Sequence, residues 1–274
     1  MKRLSCYILM LMPSIAIISA LISPDFSNAF YKNHTNSIQP AAIHKPDSSR
    51  ASSERNTPTL GQLRKKYSHY FLTNGPRVNK VALTFDDVPD PRFTPQILDI
   101  LKNHGVTATF FANGHRIAKY PNIFRRIHEE GHAIGNHSYS HPNFNRLSVP
   151  EFVSEIQRTE QAAFPIIQYY PKMIRPPYGE ITEDQLKWAA EHSYRIVNWN
   201  VDSLDWKGIG KNEVIQNIMS NIRPGAIVLQ HGGGGVGSDL SGTIQALPEV
   251  ITRLQALGYE LVTVPELLGI SLEK

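Results

Sequence analysis

Short apolar runs alternate with amphipathic stretches along the chain from Lys80 to the C-terminus. Runs such as KVALTFD and AIVLQH are rich in branched residues and end at turn residues, which is typical of strands buried in a sheet. We predict seven such strands, at residues 80–86, 106–111, 132–136, 173–177, 195–202, 226–231 and 259–264.

The stretches between these strands carry apolar residues at helical spacing. Ser148 with Glu151, and Thr182 with Gln185, match the S/T-x-x-E/Q pattern of a capping box. Thr94 is predicted as a further N-cap residue. The predicted helices cover residues 94–105, 121–131, 148–164, 182–193, 212–222 and 241–258.

Strands that alternate with helices predict right-handed βα units and a parallel sheet. About seven units fit an α/β fold, a distorted (β/α) barrel in a single catalytic domain, with an open doubly wound sheet as the alternative. A chain of 274 residues is long enough for one such domain. Both architectures place active sites at the carboxyl ends of the strands.

The first residues read as a targeting segment. A basic start, MKRLS, precedes an apolar stretch at residues 7–22 that Pro13 interrupts, and Ser27-Asn28-Ala29 resembles a small-x-small cleavage site. Residues rich in Ser, Asn, Thr and Pro follow, and residues 61–78 are ambiguous between a loop and a short helix. We predict a signal peptide or N-terminal anchor at 1–29, a flexible linker and lead-in at 30–78, and the catalytic domain at 79–274.

The composition is that of an ordinary globular protein, with 41% hydrophobic residues, 19% charged residues and a formal net charge of +4. Basic residues form no long run apart from Arg64-Lys65-Lys66, so nucleic-acid binding is not predicted, whereas a weakly basic surface suits an anionic cell envelope. The only cysteine, Cys6, falls in the predicted signal, so the mature chain has no thiol for a disulfide. Any metal site must then use His, Asp and Glu.

Ionisable residues collect where five of the predicted strands end. Because the carboxyl ends of parallel strands share one edge of a sheet, we expect these side chains to converge. They are Asp86 and Asp87 after the first strand, His137 and His141 after the third, Arg175 at the fourth, Asp202 and Asp205 after the fifth, and His231 after the sixth, and the aromatic Trp206 directly follows Asp205.

His137 and His141 with one aspartate would form the set of two imidazoles and one carboxylate that is typical of a catalytic divalent metal site, usually zinc. Pro142 disfavours a helical His141, so we expect a tight loop to bring the imidazoles together. Successive side chains on an extended strand point in opposite directions, so Asp86 and Asp87 are not expected to approach one metal in the same way. One of them could bind the metal while the other faces the substrate as a general base.

Arg175 begins the sequence RPPYG, in which Pro176 and Pro177 fix the backbone. Such a rigid loop is a good mount for an arginine that pairs with a carboxylate. The backbone N–H of Tyr178 or Gly179 could reach a developing oxyanion. We therefore expect Pro176 and Tyr178 beside the substrate.

His231 emerges from a buried strand and could protonate a leaving group near neutral pH. Either Asp205 or Asp202 could hold its imidazole, because spacing alone does not choose between them. Trp206 offers an apolar wall for a sugar ring or an acetyl methyl group. Residues 231–239, HGGGGVGSD, lack the ending of a phosphate-binding loop, so we expect a mobile rim loop beside the site.

Five ordered motifs resemble those of the polysaccharide deacetylases with a NodB-type domain, carbohydrate esterase family four. They are TFDD (84–87), HSYSH (137–141), RPPYG (175–179), DSLDW (202–206) and LQH (229–231), and they span most of residues 80–265. The roles that the resemblance implies are general base for Asp86, metal ligand for Asp87, His137 and His141, acid for His231, orientation of Asp86 for Arg175, tuning of His231 for Asp205, and acetyl-pocket lining for Trp206 and Leu229.

The resemblance also implies an activity. This is the metal-dependent hydrolysis of N-acetyl groups on GlcNAc or MurNAc residues of a cell-wall polysaccharide, above all peptidoglycan, with release of acetate. The implied cofactor is one divalent metal ion, expected to be zinc, with cobalt, nickel or manganese as alternatives. Chitin-type oligomers or O-acetyl esters are alternative substrates, and an inactive wall-binding protein of the same fold is the alternative function.

These features predict an exported protein, either secreted or attached to the bacterial cell envelope. Its expected partner is an N-acetylated glycan polymer, and no nucleic acid is expected to bind. We expect a monomer that contacts a membrane only through an uncleaved N-terminal segment.

One residue departs from the family pattern, since Val88 stands where the family usually has glycine. Because a β-branched side chain disfavours positive φ, the loop after Asp87 is expected to differ in shape.

Overall fold

The computed structural model describes residues 58–274. The predicted signal peptide or anchor at residues 1–29, including Cys6, and most of the predicted linker lie outside the described residues. Within residues 58–274, no helix combines the length and the apolar character that crossing a bilayer requires.

One parallel sheet forms the centre of this part of the chain. Its strands are β1 (Phe71–Leu72), β2 (Lys80–Val88), β3 (Thr109–Ala112), β4 (Ala133–Asn136), β5 (Met173–Ile174), β6 (Arg195–Val197), β7 (Val201–Asp202), β8 (Ala226–His231) and β9 (Glu260–Leu261). They lie in the order β1, β6, β5, β4, β3, β2, β8, β7, and β9 pairs with the start of β2.

The sheet curls until its two ends approach each other. β6 lies near one end of the strand order and β7 is the last strand at the other end, yet only residues 198–200 separate them along the chain. Because an extended residue spans at most about 3.6 Å, this link holds the two ends within roughly 15 Å. A bridge between Asn74 and Ala226 joins the same two regions. The predicted distorted barrel of parallel strands is therefore confirmed.

Helices surround the curled sheet, and most were predicted. They are α1 (Leu60–Lys66), α2 (Thr94–Asn103), α3 (Gly114–Lys119), α4 (Pro121–Glu129), α5 (Val149–Ile167), α6 (Glu183–Glu191), α7 (Lys211–Met219), α8 (Ser241–Ala256) and α9 (Val264–Leu268). Both predicted capping boxes are present, at the starts of α5 and α6. Thr94 is not an N-cap. It is the first helical residue, and its hydroxyl donates to the carbonyl of Gly232 and accepts from the N–H of Asp90.

Four predicted strands differ from the structure by three residues or more. The second begins at Thr109 instead of residue 106. The fourth ends at Ile174, because Pro176 and Pro177 have no N–H to donate to a neighbouring strand. The fifth divides into β6 and β7, which pair with opposite ends of the sheet. The last ends at Leu261, and Thr263 then caps α9. The short β1, α3 and α9 were not predicted, because elements of this length show no clear period.

Strand β2 shows how the sheet positions polar groups. Leu83 and Phe85 belong to the main apolar cluster, which the helices cover, whereas Ala82 belongs to a separate cluster inside the curl. Thr84 and Asp86 follow Ala82 at a period of two and therefore share its interior face. The carboxyl end of β2 thus places the carboxylate of Asp86 where the interior of the curled sheet opens to solvent.

Candidate active site

Both aspartates at the end of β2 line one cavity. Asp86 follows the strand alternation and is only 3% exposed. Asp87 has a φ of 62°, and the register between β2 and β3 shifts between Phe85 and Val88. The predicted opposite orientation of the two carboxylates is wrong, because the left-handed conformation of Asp87 interrupts the alternation and turns its side chain to the same cavity.

Val88 is accommodated without a positive φ. The left-handed residue is Asp87, one position earlier, and Val88 is the last residue of β2. Its side chain is fully buried in the main apolar cluster. A β-carbon at Gly232 would lie 2.6 Å from Cγ1 of Val88, so the facing loop leaves room for the valine by having a glycine there. The expected conflict between a β-branched residue and a positive φ therefore does not arise.

Asp87, His137 and His141 form a group of potential metal ligands. One ligand atom from each lies within 4.8 Å of the others. Oδ1 of Asp87 is 3.5 Å from Nε2 of His141 and 3.9 Å from Nε2 of His137. Ligand atoms at about 2.1 Å from a tetrahedral ion lie roughly 3.4 Å apart, so this spacing suits one ion.

His137 has the protonation state that a ligand needs. Its Nδ1 donates to the carbonyl oxygen of Arg175 at 2.7 Å, which leaves the lone pair of Nε2 directed at the aspartates. Burial lowers the pKa of His137 to about 3, and His141 acts in the same direction. A neutral imidazole with one nitrogen fixed in this way is the form that binds a metal, so the donor set fits a divalent ion.

The loop that carries the two histidines is held by a residue that the sequence did not reveal. Its Ser138 and His141 both have positive φ, which confirms the predicted tight loop. Glu155 of α5 accepts hydrogen bonds from the backbone N–H groups of Tyr139 and Ser140. The carboxylate therefore fixes the loop between the histidines, and only the packing of α5 brings it there.

Arg175 is fully buried and holds Asp86. Its Nη1 donates to Oδ1 of Asp86 at 2.8 Å and to the hydroxyl of Thr84 at 2.7 Å, and its Nε donates to the carbonyl of Val197 at 3.0 Å. Burial raises the pKa of Asp86, although Arg175 and His231 oppose the rise. The arrangement fixes one carboxylate oxygen and leaves Oδ2 toward the cavity. Thr84 could have been found from its position two residues before Asp86 on the same strand face.

Strand β8 places His231 directly beside Asp86, because the two residues are partners in the parallel register. Burial alone would lower the pKa of His231, but the hydrogen bond and the charge of Asp205 raise it to about 9. The raised pKa favours the protonated imidazole at neutral pH. A proton donor and a carboxylate thus stand side by side on neighbouring strands.

Of the two aspartates considered for this role, Asp205 is the one that holds His231. Its Oδ1 lies 2.8 Å from Nδ1 of His231, and its Oδ2 accepts from the backbone N–H of His231 and from the hydroxyl of Thr243. Asp202 instead accepts from the N–H of Leu204. Thr243 was not predicted, because it lies on α8 and no local pattern links it to the site.

A cavity of about 400 Å³ opens above these groups. Leu229 forms part of its wall and is 3% exposed, whereas Trp206 at the rim is 56% exposed. Tyr178 also stands at the rim, with its ring centroid 5.0 Å from that of His141. A buried apolar wall and exposed aromatic rings suit a small acyl group carried on a sugar.

Pro176 does not lie where the sequence placed it. It is buried and is not part of the cavity lining. Its carbonyl accepts a hydrogen bond from the N–H of Gly179, and this turn holds Tyr178 in the left-handed region with a φ of 59°. The N–H of Gly179 is used in this turn. Of the two N–H groups predicted to donate to an oxyanion, the N–H of Tyr178 therefore remains available.

The glycine-rich loop at residues 232–238 forms part of the rim, as predicted, but it is tied down. Arg92 and Arg116 both donate to the carbonyl of Gly234. Both arginines also bind the carboxylate of Asp90, which is 2% exposed. These contacts argue against the predicted mobile loop. They were not predicted, because the two arginines come from different elements.

The chain is similar to proteins of one family. The family model described as polysaccharide deacetylase matches residues 73–197. A peptidoglycan-N-acetylglucosamine deacetylase from Bacillus cereus is 42% identical over 252 residues, which cover 91% of this chain and 90% of that protein. A chitooligosaccharide deacetylase from a Bradyrhizobium species is 38% identical over 198 residues, or 68% of this chain and 90% of that protein. A crystal structure of a peptidoglycan N-acetylglucosamine deacetylase shares 45% identity with a TM-score of 0.74, over 77% of this chain and 98% of that chain.

The contact between Asp205 and His231 yields a prediction for Asp205→Asn. In the metal-free protein, the pKa of His231 should fall from about 9 toward its ordinary value of about 6.5, because the hydrogen bond and the charge of Asp205 are lost while burial and the weaker effects of Asp86 and Asp87 remain. NMR titration of the imidazole measures the change. Asp202→Asn is the matched control and should move the pKa of His231 much less. An unchanged pKa in Asp205→Asn would contradict the assignment.

The docking of the glycine-rich loop against Asp87 yields a second prediction. A β-carbon at Gly233 would collide with the carbonyl oxygen of Asp87, whereas at Gly235 the nearest atom is Oγ of Ser238 at 3.9 Å. Gly233→Ala should therefore weaken zinc affinity by about tenfold or more, as changes behind ligands do, and Gly235→Ala should leave it unchanged. Competition with a chromophoric chelator compares the two variants. Equal affinities would show that the close approach does not support the ligand.

Proposed function

This chain belongs to the polysaccharide deacetylase family, and we propose that it removes N-acetyl groups from GlcNAc or MurNAc residues of peptidoglycan and releases acetate. The observation that carries the proposal is the meeting of three sets of groups around one cavity. They are the Arg175–Asp86 pair, the ligand group of Asp87, His137 and His141, and the Asp205–His231 pair.

Asp87, His137 and His141 would hold one divalent ion in this proposal. Zinc suits two imidazoles and one carboxylate with an open coordination position, and cobalt, nickel and manganese are the alternatives. When bound, such an ion supplies Lewis-acid polarisation of the acetyl carbonyl and lowers the pKa of a water molecule. The hydrogen bond from His137 to the carbonyl of Arg175 supports the assignment, because it fixes the ring as a ligand.

Asp86 would act as the general base. It takes the proton of the attacking water as the water oxygen bonds to the acetyl carbon. Arg175 and Thr84 hold the carboxylate in place. Burial raises the pKa of Asp86, which makes it a stronger base than an exposed aspartate.

His231 would act as the general acid. When the carbon–nitrogen bond breaks, the imidazolium gives its proton to the departing sugar amine, and the acetyl group leaves as acetate. The partner Asp205 keeps the imidazole charged and oriented by its contact to Nδ1, so Nε2 is the nitrogen that carries the transferred proton. The position of His231 beside Asp86 lets both groups reach one amide.

The walls of the cavity would bind the acetyl group and its sugar. Leu229 and Trp206 supply apolar contact for the acetyl methyl and the ring. The backbone N–H of Tyr178 would donate to the oxyanion as it develops. Pro176 would fix the position of this donor through the turn and would not contact the substrate itself.

Peptidoglycan is proposed as the polymer because of the relatives and the predicted export. The Bacillus cereus relative is named for peptidoglycan, and it is similar over nearly the full length of this chain. The proposed organisation is a signal peptide or anchor at 1–29, a linker and lead-in at 30–78, and a catalytic domain at 79–274 that works outside the cell as a monomer. Within the lead-in, α1 and β1 join the folded part of the chain, and β1 pairs with β6.

Incubation of the zinc-loaded enzyme with peptidoglycan strands tests the proposal. Acetate should appear, and mass spectrometry should show strands that have lost acetyl groups. Stripping the metal with a chelator should abolish release, and zinc should restore it. His231→Gln should lower kcat by about 10²-fold to 10⁴-fold, as loss of a general acid does.

Other outcomes would favour the other functions. Release only from chitin-type oligomers or from O-acetyl esters would replace peptidoglycan as the substrate. Binding to cell walls with no acetate released from any of these substrates, by metal-loaded enzyme, would overturn the deacetylase proposal in favour of a wall-binding protein.

A further inference from the structure

A second cavity lies next to the candidate active site and shares a wall with it. Gly234 and Gly235 line both cavities. The second cavity has a volume of about 450 Å³ and reaches from the glycine-rich loop to α3. A linear polymer whose acetyl group enters the first cavity would lay a neighbouring unit or its substituent along the second.

The second cavity carries an excess of positive charge. Its ionisable lining consists of Arg92, Arg116 and Lys119, with His115 and a single carboxylate, Asp90. Both guanidinium groups bind that one carboxylate, which is 2% exposed. Three cations therefore face one anion, so the cavity keeps two positive charges without an acidic partner in its lining.

The cations are available and already oriented. The guanidinium groups of Arg92 and Arg116 both donate to the carboxylate of Asp90 and to the carbonyl of Gly234, which fixes their orientation. Arg92 is still 40% exposed, and its Nη1 has only a long contact of 3.5 Å to the carbonyl of Ser238. Donors held in place before a ligand arrives lose little freedom on binding.

Lys119 supplies a third, freely exposed cation at the end of α3. Its amino group lies 5.2 Å from the centre of the Tyr120 ring, and it forms no ion pair with any carboxylate of residues 58–274. Unlike the two arginines, Lys119 makes no contact that fixes the glycine-rich loop. Its charge can therefore be changed without disturbing the wall of the active cavity.

We propose that this basic cavity, lined by Arg92, Arg116 and Lys119, is a subsite for a carboxylate carried by the glycan strand. The inference rests on the proposed function, since it assumes that a polymer is bound at the first cavity. Carboxylates in peptidoglycan come from the peptide substituents and, where the peptide is absent, from the lactyl group of the sugar. Chitin-type oligomers carry neither. The subsite would therefore make the enzyme prefer acidic strands to neutral N-acetylated ones.

The test compares the ratio of kcat/KM on acidic strands to kcat/KM on neutral chitin-type oligomers of equal sugar length. Lys119→Glu should lower this ratio by about fivefold to tenfold, in line with reversal of one exposed charge at a binding site. Lys102→Glu makes the same change of net charge on the exposed end of α2 and should leave the ratio unchanged. Added salt should lower the wild-type ratio toward that of Lys119→Glu.

Two substrate arms identify the source of the carboxylate. Strands with intact peptides and strands freed of peptides by an amidase are compared with the neutral oligomers. A preference kept after removal of peptides assigns the lactyl carboxylate, and a preference lost assigns the peptide carboxylate. Either result supports the subsite.

The failure of the subsite and the failure of the proposed function give different results. Acetate release from both kinds of substrate, with a ratio that Lys119→Glu does not change, overturns the subsite alone. A ratio lowered equally by Lys102→Glu also overturns it, because the effect would then come from net charge. No acetate from any glycan overturns the proposed function and the subsite with it.

Discussion

The arrangement of the site depends on one buried contact, the ion pair between Arg175 and Asp86. Burial of two charges is costly unless the remaining donors are also satisfied. Here the guanidinium meets Asp86, the hydroxyl of Thr84 and the carbonyl of Val197, and the ring of Phe111 lies 4.0 Å away. Removing one partner would leave an uncompensated buried charge, a loss of about 3–5 kcal/mol in comparable cases.

The same residue connects the two halves of the proposed chemistry. The side chain of Arg175 orients Asp86, while its backbone carbonyl accepts the hydrogen bond that fixes the ring of His137. A displacement of Arg175 would therefore move the base and a metal ligand together. The register of β2 with β8 adds His231 to this group, so the proposed base and the proposed acid stand side by side through parallel pairing, whereas Asp87 and His141 reach the cavity through residues with positive φ.

Much of this could be predicted from the sequence because strand ends in a parallel sheet meet at one edge. The convergence of Asp86, His137, Arg175 and His231 follows from that rule alone. The turn of Asp87 could not be predicted, because period-two alternation gives no sign of a residue with positive φ inside a strand. Glu155 of α5 and Thr243 of α8, which hold parts of the site from distant helices, were also missed, because they meet the site only in the folded chain. The split between β6 and β7 was missed for a related reason, because the closure of the sheet decides where that strand changes partners.

The central claim is that Asp86 and Asp87 divide the work between base and ligand. Measurement of bound zinc per chain together with acetate release in Asp86→Asn and Asp87→Asn tests it most directly, because the two variants remove the same charge at adjacent positions. The account predicts that Asp86→Asn keeps its zinc and loses turnover by about 10²-fold or more, whereas Asp87→Asn loses the zinc itself. Loss of zinc in both variants, or retention of turnover in Asp86→Asn, would contradict the division.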